Sequence, residues 1–270
     1  MIRVLAPAKL TWSLEITGTR PDGYHLIRAE MVTLDLADEL TIEDADTTLV
    51  EWPRWVAYAP EPTERNTIET ALELVGRTAH VRLDKRIPVQ GGLGGGSADA
   101  AAILRWAGFS DLAGAATIGA DVPFCVVGGR AIVTGVGEIV EPLEFIERTV
   151  TLIVPSNLRV STHECYRAYD DLIARGHRPS GRNHLREAAC SIEPRLGETL
   201  EWLARETGLA VQLCGSGSTM FVDGDVFADV TNGPLAQARE VRSELGGGRL
   251  FDSPVGTLMF VTARTTPAMD

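Results

Sequence analysis

Residues 87–101 read Ile87-Pro88-Val89-Gln90-Gly91-Gly92-Leu93-Gly94-Gly95-Gly96-Ser97-Ala98-Asp99-Ala100-Ala101. Between Gly91 and Gly96 every residue but Leu93 is glycine. Such a run lets the backbone approach a ligand closely and turn its N–H groups toward it. The alanine-rich run to Trp106 predicts a helix, whose positive N-terminal end completes an anion site suited to phosphates. It is not a Walker A loop, because Ser97 stands where that motif has lysine, and Gly92-x-Gly94-x-x-Ser97 lacks the third glycine of a dinucleotide fingerprint. A tight glycine turn without a ligand is the plainer alternative.

Outward from the loop, the pattern alternates between strands and helices. Leu10, Trp12, Leu14 and Ile16 alternate with Thr11, Ser13, Glu15 and Thr17, which predicts a half-buried strand over 9–17. Pro21-Asp22-Gly23 is turn chemistry, and a second strand over 27–36 makes a hairpin, with Tyr24 and His25 where the chain turns back. Shorter strands are expected over 39–58, and Val81 and Leu83 mark another. Asn66 can cap a helix that carries Ile68, Ala71, Leu72 and Val75 and stops near Gly76. Residues 122–136 read as strand, Gly128-Gly129 turn, strand.

The acidic stretch 141–147 marks a boundary, giving units 1–147 and 148–270. After it come an apolar strand (150–154) and a capping box, Ser161-Thr162-His163-Glu164, opening a helix that ends before Gly176. Helices near 183–189 and 194–206, strands at 209–213 and 220–222, a helix near 235–245 and a last strand at 257–262 follow. Helices covering one antiparallel sheet make this half an α+β layer.

The chain has 270 residues, 44% hydrophobic and 23% charged, with a formal net charge of −12. That length suits one large or two modest domains with a core that needs no staples. An acidic surface repels phosphate backbones and anionic lipid, so no nucleic-acid and no membrane partner is expected. The longest uncharged stretch, 207–222, is too short and polar to span a bilayer. MIRVLAPAKL has no export-type apolar run, so a cytoplasmic, reducing compartment is expected. The four cysteines (Cys125, Cys165, Cys190, Cys214) form no CxxC pair, and the five histidines form no HExxH pair. Free thiols and no structural metal are expected.

Three further features bear on chemistry. Asp121, within Gly119-Ala120-Asp121-Val122-Pro123-Phe124, is either a helix cap or a carboxylate that takes a proton from a hydroxyl nucleophile. Lys9, within Ala6-Pro7-Ala8-Lys9, is either a solvated strand residue or a cation that polarises a hydroxyl and holds Asp121 ionised. Gly215-Ser216-Gly217-Ser218-Thr219 is a hairpin loop, or a second small-residue loop that closes over a substrate.

These features, in this order, resemble the GHMP kinase superfamily: Ala6–Lys9 its N-terminal motif, 87–101 its phosphate loop, Leu213–Thr219 its third motif. The match is closest to the branch that phosphorylates 4-diphosphocytidyl-2-C-methyl-D-erythritol in the non-mevalonate route to isoprenoid precursors. The discriminating pieces are residues 18–25 (GTRPDGYH), 85–88 (KRIP), 119–124, 135–138 (GVGE) and 160–162 (VST).

The resemblance implies an α+β, two-domain kinase with a ribosomal-S5-type N-terminal domain, a ferredoxin-like C-terminal domain, and ATP and substrate in the cleft between. It implies transfer of the ATP γ-phosphoryl to the 2-hydroxyl, with Asp121 as base and Lys9 stabilising the pair. ATP would be held by Gly91, Gly92, Leu93, Gly94, Gly95, Gly96 and Ser97, with Asn66 and Lys85 beside the adenine. Mg²⁺ would be held mostly by phosphates and water, with Ser97 nearby. Cytosine would lie between the aromatic rings of Tyr24 and Tyr166 and hydrogen-bond His25, while Thr162 and Thr11 contact substrate. The partner is therefore a small molecule with a cytidine diphosphate moiety, and a monomer or weak homodimer is the expected state.

Three departures stand out. The family usually has Asn at the position of Thr11, Cys214 precedes the third motif where a small or hydroxyl residue is usual, and the segments before Asp121 and over 44–63 are short. Another GHMP small-molecule kinase and a non-catalytic nucleotide-binding paralogue are the rival readings.

Overall fold

The computed structural model describes residues 1–51, 66–89, 91–228, 234–241, 248–254 and 256–269. A long hairpin opens the chain: β1 (Ile2–Thr19) pairs antiparallel with β2 (His25–Asp44). Next come β3 (Leu49–Glu51), α1 (Thr67–Leu74), β4 (Ala79–Asp84) and α2 (Gly95–Trp106). Then follow α3 (Leu112–Ala116), α4 (Val122–Val127), β5 (Arg130–Gly135) and β6 (Ile139–Pro142). The second half holds β7 (Thr149–Pro155), α5 (Thr162–Ala174), α6 (Arg186–Ile192), α7 (Pro194–Thr207), β8 (Gln212–Leu213) and β9 (Met220–Asp223). It ends with β10 (Arg239–Val241), β11 (Gly248–Ser253) and β12 (Gly256–Thr266).

The fold is α+β. The main strand order is β3-β4-β2-β12-β7-β9-β8. Only β3 and β4 pair in parallel among the described strands. The proposed division after residue 147 falls between β6 and β7, and the end of β12 crosses back to pair with β2 through Thr265–Leu34 and Thr266–Thr33.

Several predicted elements differ in detail. Residues 122–127 form helix rather than strand, although Val122, Phe124 and Val126 alternate. Pro123 sits in the first turn, where its missing N–H costs nothing, and Gly128 ends the helix with φ of +70°. The helix expected near 235–245 is a 3₁₀ turn (Pro234–Gln237) followed by β10; its end at 242–245 lies outside the described residues. Of the strands expected over 39–58, the stretch 39–44 belongs to β2 and 49–51 is β3, while 52–58 lies outside the described residues. The strand expected over 209–213 is reduced to two residues.

The caps behave as read: Asn66 Oδ1 accepts the Ile68 N–H at 2.9 Å, and Ser161 Oγ accepts the Glu164 N–H at 3.3 Å. Helix α2 is buried from Ala98 to Leu104, and it can be because its small side chains let β1, α1 and α4 approach.

Beneath α2 lies a buried ion cluster that the sequence did not announce. Lys85 Nζ donates to Asp38 Oδ2 at 2.5 Å and to Asp99 Oδ2 at 2.8 Å. Asp38 Oδ1 accepts the backbone N–H groups of Arg86 and Ile87, fixing the chain as it enters the glycine loop. Burial pushes the Asp99 carboxyl up to about 7, against the opposing pull of Lys85. Burial lowers the Lys85 pKa, but Asp99 and Asp38 outweigh it and leave the ammonium above its ordinary value.

A carboxyl whose pKa is higher in the folded state favours folding below its unfolded value and loses that contribution as pH rises through the folded value. Asp99→Asn should therefore gain melting temperature relative to the parent as pH rises from 3.8 to about 7. Thermal melts across that range check this; a difference independent of pH would contradict it.

Candidate active site

The glycine loop is tied down from behind by its carbonyls. Gly91 O accepts the Thr219 N–H at 3.2 Å and Leu93 O accepts the Lys9 N–H at 3.0 Å. Gly92 O accepts the Cys214 thiol at 3.3 Å, and Gly96 O accepts the Thr67 hydroxyl at 2.9 Å. The Leu93 side chain is fully buried and anchors the loop to the core. With the carbonyls turned inward, no side chain among the described residues caps the start of α2, and its first-turn N–H groups remain for a ligand. Gly94 is forced here: it has φ of +68°, and a Cβ on it would meet Lys9 Cγ at 2.7 Å.

Lys9 lies at the centre. Its ammonium donates to Thr11 Oγ1 at 2.9 Å and stands 3.2 Å from Asp121 Oδ2. Burial works to lower the Lys9 pKa, but the Asp121 carboxylate, with help from Cys214, leaves it raised, so the ammonium stays charged. The Asp121 side chain is 31% exposed, caps nothing, and opens into a cavity. Thr11 is buried rather than on the open face of a half-buried strand, because the glycine loop and the third motif cover that face of β1. The Thr11 N–H donates to Cys214 Sγ at 3.4 Å. Burial pushes the Cys214 thiol up, so it keeps the proton it donates to Gly92.

The cavity holds about 870 Å³ and is open to solvent. Its walls include the glycine loop with Ser97, then Lys9, Thr11 and Asp121, and on the far side Tyr24, His25, Thr162 and Tyr166. Helix α5 and the end of the β1–β2 hairpin supply that far wall. His25 and Tyr166 stack with centroids 4.8 Å apart at 26°, and Thr162 Oγ1 lies 3.0 Å from Ser216 Oγ of the third motif. Burial pushes the Tyr166 phenol up, so the ring is neutral. Tyr24 is 65% exposed on the hairpin turn.

Asn66 and Lys85 are not brought to this cavity. Both are buried: Asn66 Oδ1 is engaged as a helix cap and the Lys85 ammonium is held by Asp38 and Asp99. Among the described residues no group of three or more His, Cys, Asp or Glu side chains could hold a metal. Ser97, Thr67 and Asp121 bring side-chain oxygens to the cavity lining.

Some site residues carry no motif. Asn183, expected at the start of a helix but standing ahead of α6, donates from Nδ2 to Leu213 O at 2.9 Å and Gly215 O at 2.7 Å and so fixes the third motif. Cys214, to which the sequence assigned no role in the site, joins β1 to the glycine loop.

The GHMP kinases N-terminal domain family matches residues 65–129. A 4-diphosphocytidyl-2-C-methyl-D-erythritol kinase of Paracoccus denitrificans is 35% identical over 88% of this chain and 91% of that protein. The chain belongs to the 4-diphosphocytidyl-2-C-methyl-D-erythritol kinase family. The relative of that name in Paramagnetospirillum magneticum is 34% identical over 89% of this chain and 92% of its own. A crystal structure of a 4-(cytidine 5'-diphospho)-2C-methyl-D-erythritol kinase superposes with a TM-score of 0.64 at 32% identity, covering 83% of this chain and 90% of that one. Mevalonate kinase from Methanococcus jannaschii shares the fold, with a TM-score of 0.57 at 13% identity over 98% of both chains.

Gly94→Ala should weaken ATP binding by about tenfold or more, because the new Cβ displaces Lys9 as well as straining the loop. Gly208→Ala has similar strain (φ of +66°) and open space around it, so it should cost stability alone. Calorimetric titration of both variants with ATP checks this; equal affinities would contradict it.

Proposed function

We propose that this protein transfers the γ-phosphoryl of ATP to the 2-hydroxyl of 4-diphosphocytidyl-2-C-methyl-D-erythritol, as the names of its relatives indicate for them. The carrying observation is the Lys9–Asp121 pair, 3.2 Å apart, at the mouth of the glycine loop. A phosphate donor bound by the loop N–H groups puts its terminal phosphorus beside that pair. An acceptor hydroxyl within reach of both gives its proton to Asp121 as its oxygen bonds to phosphorus and the bond to the β-phosphate oxygen breaks, releasing ADP. The buried Lys9 ammonium opposes the negative charge that gathers on the acceptor oxygen and the transferred group.

The donor is Mg·ATP in this reading. The ion would sit on the nucleotide's phosphates and water, with the Ser97 hydroxyl at the end of the loop to hold it, and it would spread the phosphate charge. The rest of the substrate would run along α5. There Tyr166 and His25 offer a flat apolar surface with a polar edge, which suits a nucleobase. This paired ring surface favours the cytidine-bearing acceptor over a small acceptor such as homoserine, which has nothing to stack.

Two outcomes follow. Asp121→Asn should lower kcat by about 10²–10⁴-fold while ATP still binds. A coupled ADP-release assay with calorimetry checks this, and near-normal turnover would overturn the base assignment. Tyr166→Ala should raise KM for the diphosphocytidyl substrate by about tenfold with KM for ATP little changed. Equal rises in both constants would contradict the placement of the base.

A further inference from the structure

One turn of α5 organises the imidazole of His25 from three sides. Tyr166 stacks on its face, Tyr169 meets it edge-on with centroids 5.9 Å apart at 87°, and Asp170 Oδ1 lies 2.7 Å from its Nε2. These residues fall at positions i, i+3 and i+4, so they form one stripe of the helix, facing the end of the β1–β2 hairpin. The His25 side chain is only 9% exposed, whereas Asp170 is 56% exposed. Asp170 therefore adds little packing; its contribution is the hydrogen bond.

A carboxylate can only accept, so the Nε2 that faces Asp170 carries the proton. In the neutral ring that leaves Nδ1 as a bare acceptor. Among the described residues no protein donor or acceptor meets Nδ1, and His25 lines the cavity. A base that hydrogen-bonds edge to edge with this imidazole lies in its plane, and so extends the stack on Tyr166.

We propose that Asp170 is a positioning residue that sets nucleobase specificity. By fixing the His25 tautomer, it makes the site accept a base that presents an amine and reject one that presents a carbonyl at the same edge. This rests on the reading of the substrate as a cytidine diphosphate derivative. It adds what distinguishes cytosine, with its exocyclic amine, from uracil, with oxygen in that place. Opposite uracil, the Nδ1 lone pair would face another lone pair, leaving two buried acceptors without a proton between them.

The test is competition by CDP and by UDP against the diphosphocytidyl substrate, in the parent and in Asp170→Asn and Asp170→Ala. An asparagine amide can offer oxygen or nitrogen to Nε2, and alanine offers nothing, so either change releases the tautomer. The parent should prefer CDP by about tenfold or more, and both variants should narrow that preference to about threefold or less. KM for ATP and the melting temperature should stay at parental values, which a loss of structure would not allow. An unchanged preference in both variants would overturn the role of Asp170 while leaving the substrate reading intact. A parent protein inhibited by neither nucleotide would overturn the substrate reading, and this assignment with it.

Discussion

A single buried ammonium group organises this molecule's chemistry. Lys9 stands on the first strand, where its own N–H holds the glycine loop through Leu93 and its side chain reaches Thr11 and Asp121. An ammonium removed from water is costly unless paired, and a pair broken on one side leaves the other charge stranded. The site is thus built so that the lysine, the carboxylate and the phosphate loop fix one another. That arrangement requires glycine at 94, whose left-handed conformation and missing side chain leave room for the lysine stem.

The same constraint explains how elements far apart in sequence come together. The Cys214 thiol links Thr11 to Gly92, and Thr219 donates to Gly91, so the third motif braces the loop from behind. Asn183 in turn braces the third motif. The Asp38–Lys85–Asp99 cluster fixes both the approach to the loop and the first turns of α2. These supports hold the loop in place, and among the described residues no side chain caps the α2 N–H groups that face the cavity.

Local signals in the sequence read well where the chemistry is local. The Asn66 and Ser161 caps, the hairpin turn at 20–24 and the step from the glycine loop into a helix each depend on neighbours within a few residues, and each of these local structures is present. The strand expected at 122–127 failed because a period of two and a short buried helix look alike when Val122, Phe124 and Val126 are all apolar; Pro123 was the discordant residue. The placement of Lys85 beside a nucleotide came from resemblance alone. Its partners Asp38 and Asp99 lie 47 and 14 residues away, beyond any periodic signal. The same holds for Asp170 and His25, 145 residues apart. Long-range polar pairs of this kind are set by how distant elements dock, α2 over β2 and α5 on the hairpin, which no local pattern encodes.

The central claim is that Lys9 and Asp121 act as one unit. A double-mutant cycle on kcat, with Lys9→Met, Asp121→Asn and the combined variant, measures this directly. The account predicts that each single change lowers kcat by about 10² or more and that the combined variant falls little further than the worse of the two. Losses that multiply in the double variant would show two independent groups and contradict it.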